Sequence, residues 1–293
     1  MKHIHFILNP VAGSGNNTIS YKHLEKVFNK KDYKVIIKQS KYKKHAIKLT
    51  QESIKEQAHI IVACGGDGTI NEVASCLVNT KIILGIIPIG SGNGLASNLK
   101  IPKNIDKALA LIKTEKFKQI DTGYLNEKCF FSNCGIGFDA LVIKHYETYK
   151  TRNLSSYIKA FLKSLKKAHT FNEVDIEVNN IHLKIRPFLI FISNSNELGY
   201  NISLTPKASL QDGLLDVLII PKTNLFKILL LSLLMLFKKQ NSLKEVEYFQ
   251  TNQIKISEKN STKFQAQIDG EAHSINNNTI NISILNKALY VIA

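Results

Sequence analysis

Over roughly the first 120 residues, short apolar, β-branched runs alternate with stretches in which apolar positions recur every three or four residues. The runs His3–Leu8, Tyr33–Gln39, His59–Cys64 and Ile82–Ile89 have strand length and stop at Asn, Ser or Gly, so they predict strands. The periodic stretches predict helices over Thr18–Asn29, Lys44–Glu56, Thr69–Val78 and Asn104–Lys116. Strands separated by helices point to a parallel α/β sheet of Rossmann-like type.

Past Gly123 the pattern changes to short alternating runs: Cys129–Asn133, Val174–Val178, His182–Ile185, Leu189–Ser193, Leu215–Ile220, Val246–Phe249, Gln253–Ser257, Phe264–Ile268 and Thr279–Leu285. Many short strands bounded by turn residues predict an all-β sandwich. Two helices interrupt it. In Leu154–Lys167 the pattern sets Ile158, Phe161, Leu162 and Leu165 on one face and Lys159, Lys163, Lys166 and Lys167 on the other. The second, Asn224–Lys239, predicts core packing. The expected division is an α/β domain over 1–122 and a sandwich over 123–285, with 286–293 packing back onto the first.

Composition narrows the picture. Hydrophobic residues make up 44% of 293, ample for buried cores. Lys and Arg outnumber Asp and Glu by 39 to 23, a net charge of +16 that favours polyanionic partners. No helix-turn-helix, zinc-finger or RNA-binding aromatic motif accompanies that charge, so no nucleic-acid partner is expected. Cys64, Cys76, Cys129 and Cys134 lack metal-binding spacing and read as thiols of a reducing compartment. The apolar segment Ile228–Phe237 falls well short of the roughly 18–20 residues that span a bilayer. A cytoplasmic protein, at most peripheral to a membrane, is expected.

The candidate chemistry lies in three glycine-rich turns that each follow a predicted strand, at the sheet edge where α/β proteins collect ligands. These are Asn9-Pro10-Val11-Ala12-Gly13-Ser14-Gly15, Gly65-Gly66-Asp67-Gly68-Thr69-Ile70-Asn71-Glu72 and Gly90-Ser91-Gly92-Asn93-Gly94. Adjacent glycines admit positive φ and close approach of backbone amides, and a helix start adds orphan N–H donors, an arrangement suited to phosphate. Thr69-x-x-Glu72 has the form of a capping box, predicting Thr69 as N-cap. No G-x-x-x-x-G-K-[ST], protein-kinase signature or dinucleotide fingerprint is present. Asp269-Gly270 reads on its own as a hairpin turn.

With Asn133-x-Gly135-x-Gly137-Phe138-Asp139-Ala140, Pro206-x-Ala208-x-x-x-Asp212-Gly213-x-Leu215-Asp216 and Asp269-Gly270-Glu271 in the second half, these blocks resemble the diacylglycerol-kinase-catalytic-domain family over almost the whole chain. That family includes soluble bacterial lipid kinases and sphingosine kinases. The resemblance implies ATP held between the two domains and transfer of its γ-phosphoryl to a lipid hydroxyl. Carried over by position, it implies ATP contacts at Asn9, Pro10, Val11, Ala12, Gly13, Ser40, Gly66, Asp67, Gly68, Thr69, Ile70, Asn71, Glu72 and Ser91. It implies Mg²⁺ shared by Asp67 and Asp121, and a structural Mg²⁺ at Asp212 with backbone carbonyls of Ser209 and Leu214. Asp269 matches the general base of bacterial diacylglycerol kinases, whereas in sphingosine kinases the counterpart of Asp67 has that role. Diacylglycerol kinases of this type often carry aspartate where this chain has Gly94, and Ser91-Gly92-Asn93 is closer to the sphingosine-kinase form.

The implied partners are a membrane lipid and an anionic membrane surface, with a homodimer left open. An NAD-kinase-like enzyme with a soluble acceptor, or a non-catalytic lipid- or nucleotide-binding regulator, are the alternatives.

Overall fold

A computed structural model describes residues 1–13, 19–90, 92–149, 154–166, 172–196, 203–236, 245–259 and 262–293. It divides into two compact units, Met1–Asp121 with Asn286–Ala293, and Thr122–Leu285. Two strands carry the chain from one unit to the other, β5 (Phe117–Leu125) and β16 (Thr279–Ile292).

In the first unit four parallel strands, β1 (Lys2–Leu8), β2 (Tyr33–Gln39), β3 (Ile60–Gly65) and β4 (Ile83–Pro88), lie in the order β2-β1-β3-β4. The end of β16 adds a further parallel neighbour where Val291 pairs with Leu84. The helices are α1 (Tyr21–Val27), α2 (His45–Lys55), α3 (Asp67–Leu77), the short α4 (Gly94–Asn98) and α5 (Ile105–Lys113). All of β3 is buried, as befits a central strand covered on both faces. One cluster joins Ile4, Phe6 and Val62 of the strands to Leu24 and Phe28 from α1 and its end, and to Leu109 and Ile112 of α5. Local chemistry starts two helices: Ser20 accepts the His23 amide at 3.2 Å, and Asn104 accepts that of Lys107 at 3.0 Å.

The second unit holds a six-stranded antiparallel sheet of β12 (Glu247–Thr251), β11 (Leu215–Pro221), β10 (Pro187–Ser193), β7 (Asn133–Gly137), β14 (Phe264–Ile268) and β15 (Glu271–Ile275), in that order. The first half of β16 pairs with β13 (Gln253–Ser257), which pairs with β8 (Val174–Val178) and onward to β9 (Ile181–Ile185). The short β6 (Lys128–Phe130) pairs with β5. The core between the layers contains Ile136, Ile190, Ile192, Val217 and Ile219 with Ile176, Ile254, Ile256, Ile280 and Ile282. The other face of β10 and β11 is equally apolar. Phe191, Leu218 and Ile220 pack beneath α6 (Phe138–Tyr146), α7 (Leu154–Leu165) and α8 (Leu225–Leu236). Covering both faces explains why these two strands are buried at nearly every position.

Two local expectations are corrected. The run Cys129–Asn133 is two strands, β6 and β7, because the chain bends at Phe131 and Ser132 to aim its amides elsewhere. On α7, Tyr157, Phe161 and Leu165 face inward, whereas Ile158 and Leu162 are 51% and 55% exposed. The inward stripe is set by the small residues Ser156, Ala160 and Ser164, all buried, which a hydrophobicity pattern does not register. Ser164 Oγ lies 2.8 Å from His145 Nδ1 of α6. Lys167 and the expected end of the 224–239 helix lie outside the described residues. Among the described residues no helix is long and apolar enough to cross a membrane.

His5 is fully buried in β1, and among the described residues neither ring nitrogen has a hydrogen-bond partner. Burial, and then the positive charge of Lys38, lower its pKa to about 4, while Glu56 acts the other way. The unfolded chain therefore binds more protons than the folded one between pH 6.5 and about 4. Stability carried by neutral His5 is complete above that window and lost as pH falls through it, about 3 kcal/mol in all. Replacing it, His5→Leu, is expected to flatten the pH dependence of the melting temperature between pH 4 and 6.5. An unchanged acid slope would refute that account.

Candidate active site

The turns after β1, β2, β3 and β4 lie level along one sheet edge, because the register pairs Leu8 with both Gln39 and Cys64, and Cys64 with Ile87. Backbone bonds continue each strand into its turn: Ser40 N to Leu8 O at 2.8 Å, Asn9 N to Cys64 O at 2.9 Å and Ile89 N to Gly65 O at 2.8 Å. Asn9, Ser40, Gly66–Glu72 and the Gly90–Gly94 turn are thus gathered in one unit. Ser91 lies outside the described residues, as do Ser14 and Gly15.

The helix after the second turn begins three residues earlier than the capping box implies. Gly66 is the N-cap of α3, without a side-chain cap, and Asp67 occupies the first turn. Thr69 instead sits buried, and its Oγ1 accepts from Asn9 Nδ2 at 3.2 Å. Glu72 Oε1 accepts the amide of Lys44 at 2.9 Å, outside its own helix. Neither Gly65 nor Gly66 has positive φ; glycine is required there for space. A Cβ on Gly65 would lie 2.5 Å from the Thr69 Cβ, and one on Gly90 would lie 2.5 Å from the Gly66 Cα. The second and third turns therefore touch backbone to backbone.

Asp67 ties those turns together. Its Oδ2 accepts the Asn93 amide at 2.8 Å and its Oδ1 the Gly94 amide at 2.7 Å, capping α4. Asn93 is 1% exposed with φ of 56°, and its Nδ2 donates to Gly90 O at 2.5 Å. In the first turn Asn9 Oδ1 accepts the Val11 amide at 3.2 Å, Pro10 and Val11 are exposed, Ala12 is half-buried, and Gly13 takes φ of 67°. Ile70 is core, and its amide bonds Gly66 O. Gly68 and Asn71 lie in the first turns of α3.

The proposed metal residues are oxygen donors, the chemistry Mg²⁺ prefers. Asp121 is fully buried in β5, and its Oδ1 accepts the Lys287 amide of β16 at 2.6 Å. Asp212 is exposed in the loop before β11. Its Oδ1 accepts the Leu214 amide at 3.1 Å, and Ser209 Oγ accepts that of Gln211 at 3.2 Å. An exposed carboxylate in a turn suits a cation that keeps most of its water. Among the described residues no group of three or more His, Cys, Asp or Glu is placed to hold a metal ion.

In the second unit Asp269-Gly270 is a hairpin turn between β14 and β15. Both φ values are positive, 47° and 79°, and Ile268 pairs with Glu271. The Asp269 carboxylate reaches beyond its turn. Oδ2 accepts the Phe131 amide at 2.8 Å, and Oδ1 accepts those of Ser132 at 2.8 Å and Asn133 at 3.0 Å. Gln267, 1% exposed, links this turn to its surroundings, accepting the Gly270 amide at 2.9 Å and donating to Asn133 Oδ1 at 2.7 Å.

The N-cap of α6 is Gly137, with no side-chain cap, and Asp139 is 8% exposed in the first turn. Among the described residues its Oδ2 has no hydrogen-bond partner, and it lies 2.2 Å from where a Cβ on Gly135 would be. That explains the first glycine of the Gly135-x-Gly137-Phe138-Asp139 block. Burial pushes the Asp139 pKa up to about 6, and the Gln267 amide acts against it.

The profile of the diacylglycerol kinase catalytic domain matches residues 3–125, and that of the YegS C-terminal NAD kinase beta sandwich-like domain matches 132–293. The chain is 29% identical over 280 residues to the diacylglycerol kinase of Bacillus subtilis (strain 168), covering 92% of this chain and 90% of that protein. It is 29% identical over 178 residues to "Probable lipid kinase YegS" of Escherichia coli O127:H6 (strain E2348/69 / EPEC), about three-fifths of each chain (59% and 60%). The crystal structure of a diacylglycerol kinase from Bacillus anthracis str. Sterne superposes with a TM-score of 0.71 at 20% identity, over 99% of this chain and 96% of that one, a likeness of fold.

Two substitutions test the packing. Gly90→Ala drives a methyl into the Gly66 backbone and is expected to destabilise by on the order of 1–3 kcal/mol, read as a lower denaturation midpoint. A variant as stable as the parent would show that the two turns do not abut. For Asp139 the sign is opposite to that of His5. A raised carboxylate pKa costs stability as pH rises from about 4 to 6, about 3 kcal/mol in all, and the cost stays constant above. The variant Asp139→Asn is expected to melt above the parent at pH 7 and to lose that advantage below pH 4. A pH-independent difference would contradict the assignment.

Two profiles that between them span nearly the whole chain, on a fold carrying the assembled Asp67 corner, place this protein in the diacylglycerol kinase catalytic domain family of ATP-dependent lipid kinases.

Proposed function

We propose that the protein transfers the γ-phosphoryl group of ATP to the hydroxyl of a membrane lipid of diacylglycerol or sphingoid type, with Mg²⁺, at the cytoplasmic face of an anionic membrane. The observation that carries this reading is the corner in which the Asp67 carboxylate holds the amides of Asn93 and Gly94 while the Gly66 and Gly90 backbones touch. Such a corner leaves little side-chain bulk between a phosphate and the sheet edge.

Phosphoryl transfer needs positioning and charge neutralisation more than covalent help from the protein. The lipid oxygen bonds to the γ-phosphorus as the bond to the β,γ-bridging oxygen breaks, ADP leaves, and the hydroxyl proton passes to a carboxylate. Family resemblance assigns that proton to Asp269, an acceptor worth typically 10²–10⁴-fold. It assigns the phosphates to the turns at Asn9–Gly13 and Gly66–Glu72, with Ser40 and Ser91 completing the nucleotide contacts. Bound Mg²⁺ would neutralise phosphate charge, with Asp67 and Asp121 supplying oxygen near the nucleotide and Asp212, Ser209 and Leu214 holding a second ion.

Membrane attachment is supported by α7, whose exposed face carries Ile158 and Leu162 beside the exposed Lys159, Lys163 and Lys166. Near an anionic surface each lysine adds about 1 kcal/mol.

The test offers labelled ATP and Mg²⁺ with a panel of lipid alcohols in anionic vesicles, beside NAD as a soluble acceptor. Labelled lipid is expected. Labelled NADP without lipid product would overturn the proposal in favour of an NAD kinase. Asp67→Asn is expected to lower kcat/KM at least about 100-fold, since it disturbs the corner as well as any metal contact. Asp269→Asn sets an NH₂ group among backbone donors, so its activity has to be compared with its melting temperature. Full activity in that variant would remove Asp269 as base.

A further inference from the structure

An exposed aromatic pair stands at the same sheet edge, outside the phosphate-suited turns. In the loop that follows β2, Tyr42 stacks on His45 with ring centroids 4.4 Å apart and planes within 12°. Tyr42 is nevertheless 63% exposed.

The loop is tightly held. Lys41 donates its amide to His45 Nδ1 at 3.0 Å, which fixes the imidazole, and His45 donates its own amide to Tyr42 O at 3.1 Å. Lys44, with φ of 68°, donates its amide to Glu72 Oε1 at 2.9 Å. A side chain from the Gly65–Glu72 block thus anchors the loop that presents Tyr42.

Sheet order supplies the geometry. The strands run β2-β1-β3-β4 with neighbouring spacings of about 4.8 Å, so the end of β2 lies roughly 10 Å from the corner after β3. The β1 turn with Asn9 lies between them. A nucleotide with its phosphates on the β1 and β3 turns and Ser40 among its contacts, as proposed above, would bring its nucleoside toward the end of β2. Every base has a π-face, and stacking on an aromatic ring needs no particular hydrogen-bond pattern.

We propose that Tyr42, held flat by His45, is the stacking platform for the purine base of the nucleotide, with Glu72 as the residue that positions its loop. The proposal rests on the kinase reading and extends it to base recognition. The exposed Lys41 and Lys44 beside the ring favour an anionic ligand over a neutral one.

A binding experiment on the full chain separates base from phosphate. Dissociation constants for Mg-ATP and for inorganic tripolyphosphate are measured by calorimetry for the parent, Tyr42→Ala and Tyr42→Trp. Tyr42→Ala is expected to weaken ATP about tenfold while leaving tripolyphosphate unchanged, and Tyr42→Trp to bind ATP at least as well as the parent. Unchanged ATP affinity in Tyr42→Ala would overturn the platform. So would an equal weakening of both ligands, which would mean that Tyr42 acts on the phosphate turns through the fold. If the parent phosphorylates lipid while Tyr42→Ala binds ATP normally, the platform falls and the kinase reading stands. A parent that binds neither ligand would end both.

Discussion

The glycine-rich edge of the parallel sheet depends on one carboxylate. Asp67 accepts the amides of Asn93 and Gly94, and these two bonds close the third turn onto the second. Bonds to an ionised acceptor are stronger than neutral ones, and a helix start such as that of α4 offers donors that need a partner. The glycines follow from this strap. Gly66 and Gly90 allow the backbones to meet, and a Cβ on Gly92 would lie 2.9 Å from Asp67 Oδ2. Replacing the acid would free two amides at once, and the turns would lose the reason for their closeness.

The second unit uses the same device. Asp269 collects the amides of Phe131, Ser132 and Asn133, and that convergence breaks an apparently continuous run into β6 and β7. A place in a hairpin turn is therefore compatible with the base role proposed for Asp269. The turn presents the side chain, and three backbone amides fix its orientation. Gln267 and Asn133 brace the arrangement from beneath.

Strand runs, helix periods and the change of style after residue 122 were legible because each element buries a regular face, as β3 and β13 show. Interactions between distant segments were not. Nothing local says that Asp67 will be met by Asn93, or that Glu72 will leave its apparent capping box for the Lys44 amide. The inward face of α7 was missed because small polar residues, Ser156 and Ser164, line it. Asp139 gave a partial signal: the Gly135-x-Gly137 spacing marks a place where backbone must clear room, without saying that a carboxylate fills it.

Gly94 replaces an acid found in related enzymes, and the structure bears on what that exchange changes. Position 94 contributes its backbone amide to Asp67, a contribution every residue but proline can make. The strap is therefore indifferent to the side chain there, and the corner forms with glycine as it would with aspartate. What glycine removes is one negative charge beside Asp67. Under the proposed function, a corner with fewer fixed carboxylates would repel phosphate less and would lean more on the nucleotide's own oxygens to hold Mg²⁺. The departure therefore alters electrostatics beside Asp67 and leaves the strap between the two turns in place.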